Sequence, residues 1–322
     1  MKLLKSLTWM FIILLALGFV GCSDDDDDDD NPTGPTTTDH FEDLFALDGG
    51  FGDNITSSAL YAELTGTTPA AGELFLIDFR SADHYNYAHI DGAVNWAITD
   101  LMDNLDQIPA DAKVICICYS GQTASQASSA LNLLGYDAWN LKFGMCGWTS
   151  NEDINLGKWA NLAENDVPLV TDPYTLDDSF DYPDRALETE DVMEAAEYYL
   201  DMYLSNGTKN MSCTAVYELD MDEVTILNYW SADMYNDGHL AGAVQANPID
   251  MDVLEGVDPE LPVVVYCHTG QTSSKITAWL NMLGYDAYSM LYGVNAIDQE
   301  FPGLTTYHAP DQDYPCVGTF DD

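Results

Sequence analysis

Apolar residues in this chain come in short continuous runs, and helical spacing follows them. Residues 74–77 (LFLI) and 114–117 (VICI) leave no polar position on either face. That is the pattern of strands covered on both sides of a sheet. Residues 93–94 begin a short strand between them, residues 98–105 fit a helix, and residues 138–141 supply a further strand. From Thr123 the period lengthens: Ala127, Leu131 and Leu134 share one helical face, and Gly135 supplies the stop. The series recurs with strands at 224–227 and 263–266, a helix bearing Ile276, Leu280 and Leu283, and then Gly284. Strands alternating with helices predict an α/β fold with parallel sheets covered on both faces, and such sheets bind ligands at the carboxyl ends of their strands.

The recurrence extends to the residues themselves. CYSGQTAS (118–125) matches CHTGQTSS (267–274), and LNLLGYDA (131–138) matches LNMLGYDA (280–287), both displaced by 149 positions. SADHYNYAHIDGAV (81–94) matches SADMYNDGHLAGAV (231–244) at a displacement of 150. Three blocks in one order, with a single inserted or deleted residue, define a duplicated domain, because the period is too long for a solenoid unit. The Pro- and Asp-rich stretch 171–185 reads as a linker. The division predicted is one domain over 41–170, a second over 186–312, and a tail over 313–322.

Residues 1–21 read as a targeting segment. Lys2 and Lys5 precede an apolar stretch over 7–20 that is short for a permanent span. It ends at Gly21-Cys22, which resembles a bacterial lipoprotein signal; that resemblance implies lipidation of Cys22 and a chain exported and anchored to the cell envelope, with an outer-membrane or surface address favoured by Ser23. Residues 22–40 open with seven aspartates (24–30) and continue in Pro and Thr, so they predict an extended tether.

Charge narrows the partners. There are 55 Asp and Glu against 9 Lys and Arg, a formal net charge of −46, so the acidity belongs to the folded part as well as the aspartate run. Such a surface excludes nucleic acid, whose binding needs cations to displace counterions, and it slows the approach of anionic substrates. The seven cysteines contain no CxxC and suggest no metal site. Cys116 and Cys118, two apart on a strand, face the same side.

The chemistry concentrates at Cys118-Tyr119-Ser120-Gly121-Gln122-Thr123 and Cys267-His268-Thr269-Gly270-Gln271-Thr272. In each, a cysteine leaves a buried strand and a glycine lets the backbone curl before a helix starts. Successive amides then point inward and form an anion cradle, where a cysteine's pKa falls and a persulfide or anionic leaving group is held. His268 adds a proton-linked neighbour in the second loop. A strand-end cysteine taken alone is more often a small core hydrophobe; the repetition in one register points to a functional loop.

The blocks LIDFRSADHY, AHIDGAVN, CYSGQTAS and GYDAWNLKFGMCGW, with LNYWSADMY, GHLAGAVQ, CHTGQTSS and GYDAYSMLYG, resemble the rhodanese family of thiosulfate sulfurtransferases. The resemblance implies two domains, each a five-stranded, mainly parallel sheet with helices on both faces. It implies that Cys118 and Cys267 cycle between thiol and persulfide, with no metal or organic cofactor, between a small sulfur donor and a thiol or other nucleophilic acceptor. Many active members carry arginine where Thr123 and Thr272 stand, so a polysulfide or persulfide is the donor expected, ahead of dianionic thiosulfate. A non-catalytic sulfur carrier or sensor on the envelope is the alternative. A phosphatase of similar fold would need a loop arginine to clamp phosphate. Asp78 and Arg80, read as support for the site, become Asn228 and Trp230 in the second copy, which places its activity below that of the first. His89 and His239 read as turn-fixing residues, Cys146 as inert or resolving, Cys213 and Cys316 as a disulfide or two thiols, and Trp96, Trp139 and Trp230 as packing.

Overall fold

The computed structural model describes residues 37–47, 52–67 and 73–319. The targeting segment, Cys22 and nearly all of the tether lie outside these residues. In the first copy five strands, β1 (Asn54–Ile55), β2 (Leu74–Asp78), β3 (Val94–Asn95), β4 (Lys113–Ile117) and β5 (Asp137–Leu141), form one parallel sheet in the order β1-β5-β4-β2-β3. The second copy builds the same sheet from β6 (Asn210–Met211), β7 (Thr225–Asn228), β8 (Ala243–Gln245), β9 (Val263–Tyr266) and β10 (Ala287–Met290), in the order β6-β10-β9-β7-β8. Every residue of β4, β7 and β9 is buried, which is why apolar residues run consecutively through them, with polar residues confined to the ends of β4 and β7.

Two helices follow the cysteine loops, α1 (Gln122–Leu133) and α2 (Gln271–Leu283). Each lies between its own sheet and the helix of the other copy, so one hydrophobic core runs through both: Ala127 and Leu131 of α1 share it with Ile276 and Leu280 of α2. Their central location also buries polar positions, which pair across the copies. Ser129 Oγ donates to the Lys275 carbonyl (2.8 Å) and Gln126 Nε2 to Asn210 Oδ1 (2.9 Å). Separate cores fill the outer faces, around Ile115 and Trp148 in the first copy and Val264 and Trp230 in the second.

Segments outside the repeat stitch the copies together. Residues 171–185 run along the second copy, where the Phe180 amide donates to the Glu255 carbonyl (2.9 Å) and Tyr182 stacks on Phe41 at 4.6 Å. Phe45 packs on Trp279 of α2. The end of the chain returns to the first copy, pairing Val317–Gly318 antiparallel with Ala88–His89. Residues 98–105 differ from the helix predicted. They form two 3₁₀ segments, Ile98–Asp100 and Met102–Gln107, where the Asn104 side chain donates through Nδ2 to the Asp100 carbonyl at 2.8 Å and takes a carbonyl that an α-helix would use.

Candidate active site

Cys118 is the first residue beyond β4, and Gly121, at φ 85°, turns the backbone so that α1 begins at the next residue. The thiol sits inside this turn. Its Sγ accepts from the amides of Gly121 (3.1 Å) and Ala124 (3.4 Å). Cys267 repeats the arrangement after β9, with Gly270 at φ 76° and the amide of Ser273 on Sγ at 3.3 Å; Ser273 Oγ lies 3.5 Å away. The carbonyl side of each loop is held by the turn after the last strand. Met145 N donates to Cys118 O (2.8 Å) and Cys146 N to Tyr119 O (3.1 Å), while Val294 N and Asn295 N serve Cys267 O (3.1 Å) and His268 O (3.3 Å). That approach requires glycine: a Cβ on Gly144 would stand 2.3 Å from Cys118 O, and one on Gly293 2.0 Å from Cys267 O.

Amides converge on sulfur in both loops, yet at Cys118 the expected fall in pKa does not follow. Each cysteine is only 3% exposed. Burial pushes the Cys118 thiol up, and the amides of Ala124, Ser120 and Gly121 offset only part of that; the Asp78 charge adds to the rise. Cys116, fully buried in the same core, is also raised by burial. Thiolate is the alkylating form, so the rate at Cys118 will grow about tenfold per pH unit through neutrality and will still be climbing at about pH 9. Iodoacetamide labelling of the Cys267→Ser protein, followed by mass spectrometry, measures this; a plateau near pH 7 would mean a depressed pKa.

The remaining loop residues divide by direction. The Tyr119 hydroxyl meets His84 Nδ1 and lies 3.2 Å from Ser81 Oγ, with the Arg80 guanidinium 5.7 Å from its ring centroid. Ser120 O accepts from Trp159 Nε1 (2.9 Å). Thr123 and Thr272 are partly exposed in the first turns of the helices. Thr269 Oγ1 accepts the Gln271 amide (3.4 Å). His268 Nδ1 accepts from the Thr305 amide (3.0 Å), and burial lowers its pKa, so its proton sits on Nε2. Gln122 and Gln271 turn away from the sulfur. Both are 2% exposed, and their amide groups cross to the other copy. Gln122 Oε1 accepts from Tyr292 N (2.7 Å), and Gln271 Oε1 from Phe143 N (3.0 Å) and Asn140 Nδ2 (2.9 Å).

Asp78 and Arg80 form a pair beneath the first loop, both side chains fully buried, with Nη2 2.7 Å from Oδ2. The guanidinium also donates to the carbonyls of Ile154 (3.0 Å) and Ala88 (2.6 Å). In the second copy Asn228 donates instead to the Tyr266 hydroxyl (2.7 Å), which accepts the Leu240 amide (3.0 Å), and Trp230 fills the remaining volume. An ionic brace is thereby replaced by a phenol and an indole. His89 and His239 each donate Nδ1–H to the carbonyl four residues back (2.7 Å) and stack on Tyr85 and Tyr235, which fixes the turn before β3 and β8.

The other cysteines among the described residues are thiols. Cys146 is buried among Phe143, Trp159, Tyr292 and Tyr307, and burial pushes its thiol up to about 11. The disulfide weighed for Cys213 and Cys316 is not formed, because the tail returns to the first copy: Cys213 belongs to the outer core of the second copy and Cys316 packs on that of the first. Among the described residues no three His, Cys, Asp or Glu side chains converge to hold a metal. His84 and Trp159 touch the first loop but are not legible as site residues in the sequence. The repeat places Met234 opposite His84, and Trp159 lies outside the three matching blocks.

A buried cysteine inside an amide-lined strand-to-helix turn thus recurs in each copy of a tandem α/β chain. The rhodanese-like domain model matches residues 58–151 and 214–300, and the chain belongs to that family. It is 30% identical over 74 residues to the thiosulfate sulfurtransferase GlpE of Shewanella oneidensis, covering 23% of this chain and 73% of that protein. It is 32% identical over 81 residues to the HTH-type transcriptional regulator Rv0324 of Mycobacterium tuberculosis, covering 24% of this chain and spanning 35% of that protein. Among solved structures, a thiosulfate sulfurtransferase from Pseudomonas aeruginosa aligns over 84% of this chain and 48% of its own, at 16% identity and TM-score 0.31. A rhodanese-like domain protein from Staphylococcus aureus aligns over 30% and 90%, at 23% identity and TM-score 0.27.

Proposed function

We propose that this protein is a sulfurtransferase that moves sulfane sulfur through persulfides on Cys118 and Cys267. The observation that carries the reading is the convergence of the Gly121 and Ala124 amides on Cys118 Sγ, repeated by the Ser273 amide on Cys267 Sγ. The family and its thiosulfate sulfurtransferase relative support sulfur transfer as the general chemistry. In the first half-reaction a cysteine thiolate attacks the outer sulfur of the donor. The S–S bond of the donor breaks, its electron pair leaves with the departing thiol or shorter polysulfide, and the enzyme keeps a persulfide. In the second, an acceptor nucleophile takes the terminal sulfur and the thiolate is restored. The amides hold negative charge on sulfur in both steps.

The donor we propose is a polysulfide or low-molecular-weight persulfide. Thr123 and Thr272 leave both loops uncharged on a chain of net charge −46, which disfavours a dianion. Thr123→Arg will raise kcat/KM for thiosulfate by about tenfold and change the polysulfide rate by less than about threefold. Steady-state assays with both donors measure this; equal gains with both donors would remove the charge argument. The raised pKa of Cys118 favours a second reading, a carrier or sensor that loads sulfur and releases it slowly. A full single-turnover burst of persulfide with no steady-state turnover from any donor selects the carrier. We further propose that the protein is exported and held to the cell envelope by a lipid on Cys22, which mass spectrometry of the membrane-extracted protein tests.

A further inference from the structure

Gln122 and Gln271 occupy the same position in the two loops, and each reaches the closing turn of the opposite copy. Gln271 of the second copy accepts from Phe143 N. The next residue, Gly144, lies against the Cys118 carbonyl, and Met145 N donates to that carbonyl at 2.8 Å. Gln122 of the first copy accepts from Tyr292 N. Gly293 then lies against the Cys267 carbonyl, and Val294 N donates to it at 3.1 Å. The crossing also explains the loop glycines a second time. A Cβ on Gly121 would stand 2.7 Å from Gln271 Oε1, and one on Gly270 would stand 2.5 Å from Gln122 Oε1. Phe143 and Tyr292, the residues whose amides are taken, both hold positive φ, 63° and 64°. Few side chains tolerate that conformation, so a fixed hydrogen bond at each amide stabilises a strained turn. Both glutamines are nearly inaccessible to solvent, and the Phe143 amide, buried with its partner, could not turn to water if it lost that acceptor.

We propose that Gln122 and Gln271 are positioning residues acting in trans, each holding the closing turn that shapes the other copy's cysteine loop, so that the two sulfur sites are coupled through a reciprocal clasp. The consequence is a defined crossed pattern. Losing the Gln271 side chain frees the Phe143–Gly144 turn and loosens the backbone around Cys118, and losing Gln122 does the same at Cys267. The coupling deepens the sulfur-transfer reading, but it concerns thiol geometry and is testable without sulfur.

The test measures alkylation of one cysteine at a time by iodoacetamide, in the full chain. Gln271→Ala in the Cys267→Ser background will change the alkylation rate of Cys118 by about fivefold, and Gln122→Ala in the Cys118→Ser background will change that of Cys267 by a similar factor. Gln→Glu at each position keeps an acceptor oxygen in either protonation state and will restore most of the rate. Near-ultraviolet circular dichroism of each variant establishes that it is folded; should an alanine variant not fold, Gln271→Met and Gln122→Met, which keep the volume and lose the acceptor, take its place. Unchanged rates at the opposite cysteine in folded variants, or rescue by Met as complete as by Glu, overturn the clasp. Polysulfide turnover of the same variants is read separately: crossed alkylation effects without turnover leave the clasp standing and reject the transferase reading.

Discussion

The Cys118→Ser, Cys267→Ser double variant will lose sulfur uptake from polysulfide by at least about a hundredfold, since these are the two thiols held inside the amide-lined strand-to-helix turns. After polysulfide exposure the wild-type protein will gain about 32 mass units per loaded site, and peptide mapping will assign the gain to residues 118 and 267. The single variants will differ. The Gly121 and Ala124 amides lie 3.1 and 3.4 Å from Cys118 Sγ, with that of Ser120 also acting on it, against the Ser273 amide and hydroxyl oxygen at Cys267, and the first copy keeps its ionic brace. Cys118→Ser will therefore remove most of the steady-state rate, a loss of about tenfold, and Cys267→Ser will cost only about a tenth of the rate. Sulfur uptake undiminished in the double variant would reject both cysteines, and a gain confined to Cys146 or Cys316 would move the chemistry to the periphery of the first copy.

How much of this site the sequence discloses depends on which interactions are local. The cysteine turn is legible because everything that makes it lies within eight consecutive residues: the strand end, the glycine at positive φ and the start of the helix. Duplication then doubles the signal. The clasp is not legible, because Gln122 and Gln271 stand inside the same eight residues and nothing local says that their side chains leave the loop. β1 and β6 are two residues long and carry no hydrophobic run, so they appear only once β5 and β10 offer an edge to pair with. The direction of the Cys118 pKa is also non-local. Loop geometry alone supplies the amides that lower it, whereas the depth of burial that raises it comes from the core that both copies build together. The same principle applies to the tail, whose pairing with Ala88–His89 is set by the closure of the fold.

Arg80→Met will destabilise the folded chain by about 3–5 kcal/mol, measured as a shift of the urea unfolding midpoint. The guanidinium satisfies both oxygens of Asp78, through Nε (3.0 Å to each) and Nη2 (2.7 Å), and closes on the carbonyls of Ile154 and Ala88. Methionine fills much of the volume but leaves a buried carboxylate held by one backbone amide, that of residue 80 (2.9 Å), and that unpaired charge accounts for most of the loss. The Asp78→Asn, Arg80→Met double variant removes it and will recover about half of the stability or more. The second copy shows that the position tolerates such a change. Asn228 already stands where Asp78 does, its Nδ2 on the Tyr266 hydroxyl at 2.7 Å, with Trp230 in the arginine's place. If the single variant costs less than about 1 kcal/mol, the Asp78 charge is not what needs pairing, and the brace is a matter of shape. If the double variant is as unstable as the single, the carbonyls of Ile154 and Ala88 are the groups that require the guanidinium. Either result would be distinguished from a catalytic role by the alkylation rate of Cys118 in the folded protein, which depends on the Gly121 and Ala124 amides and will change by less than about threefold in the double variant.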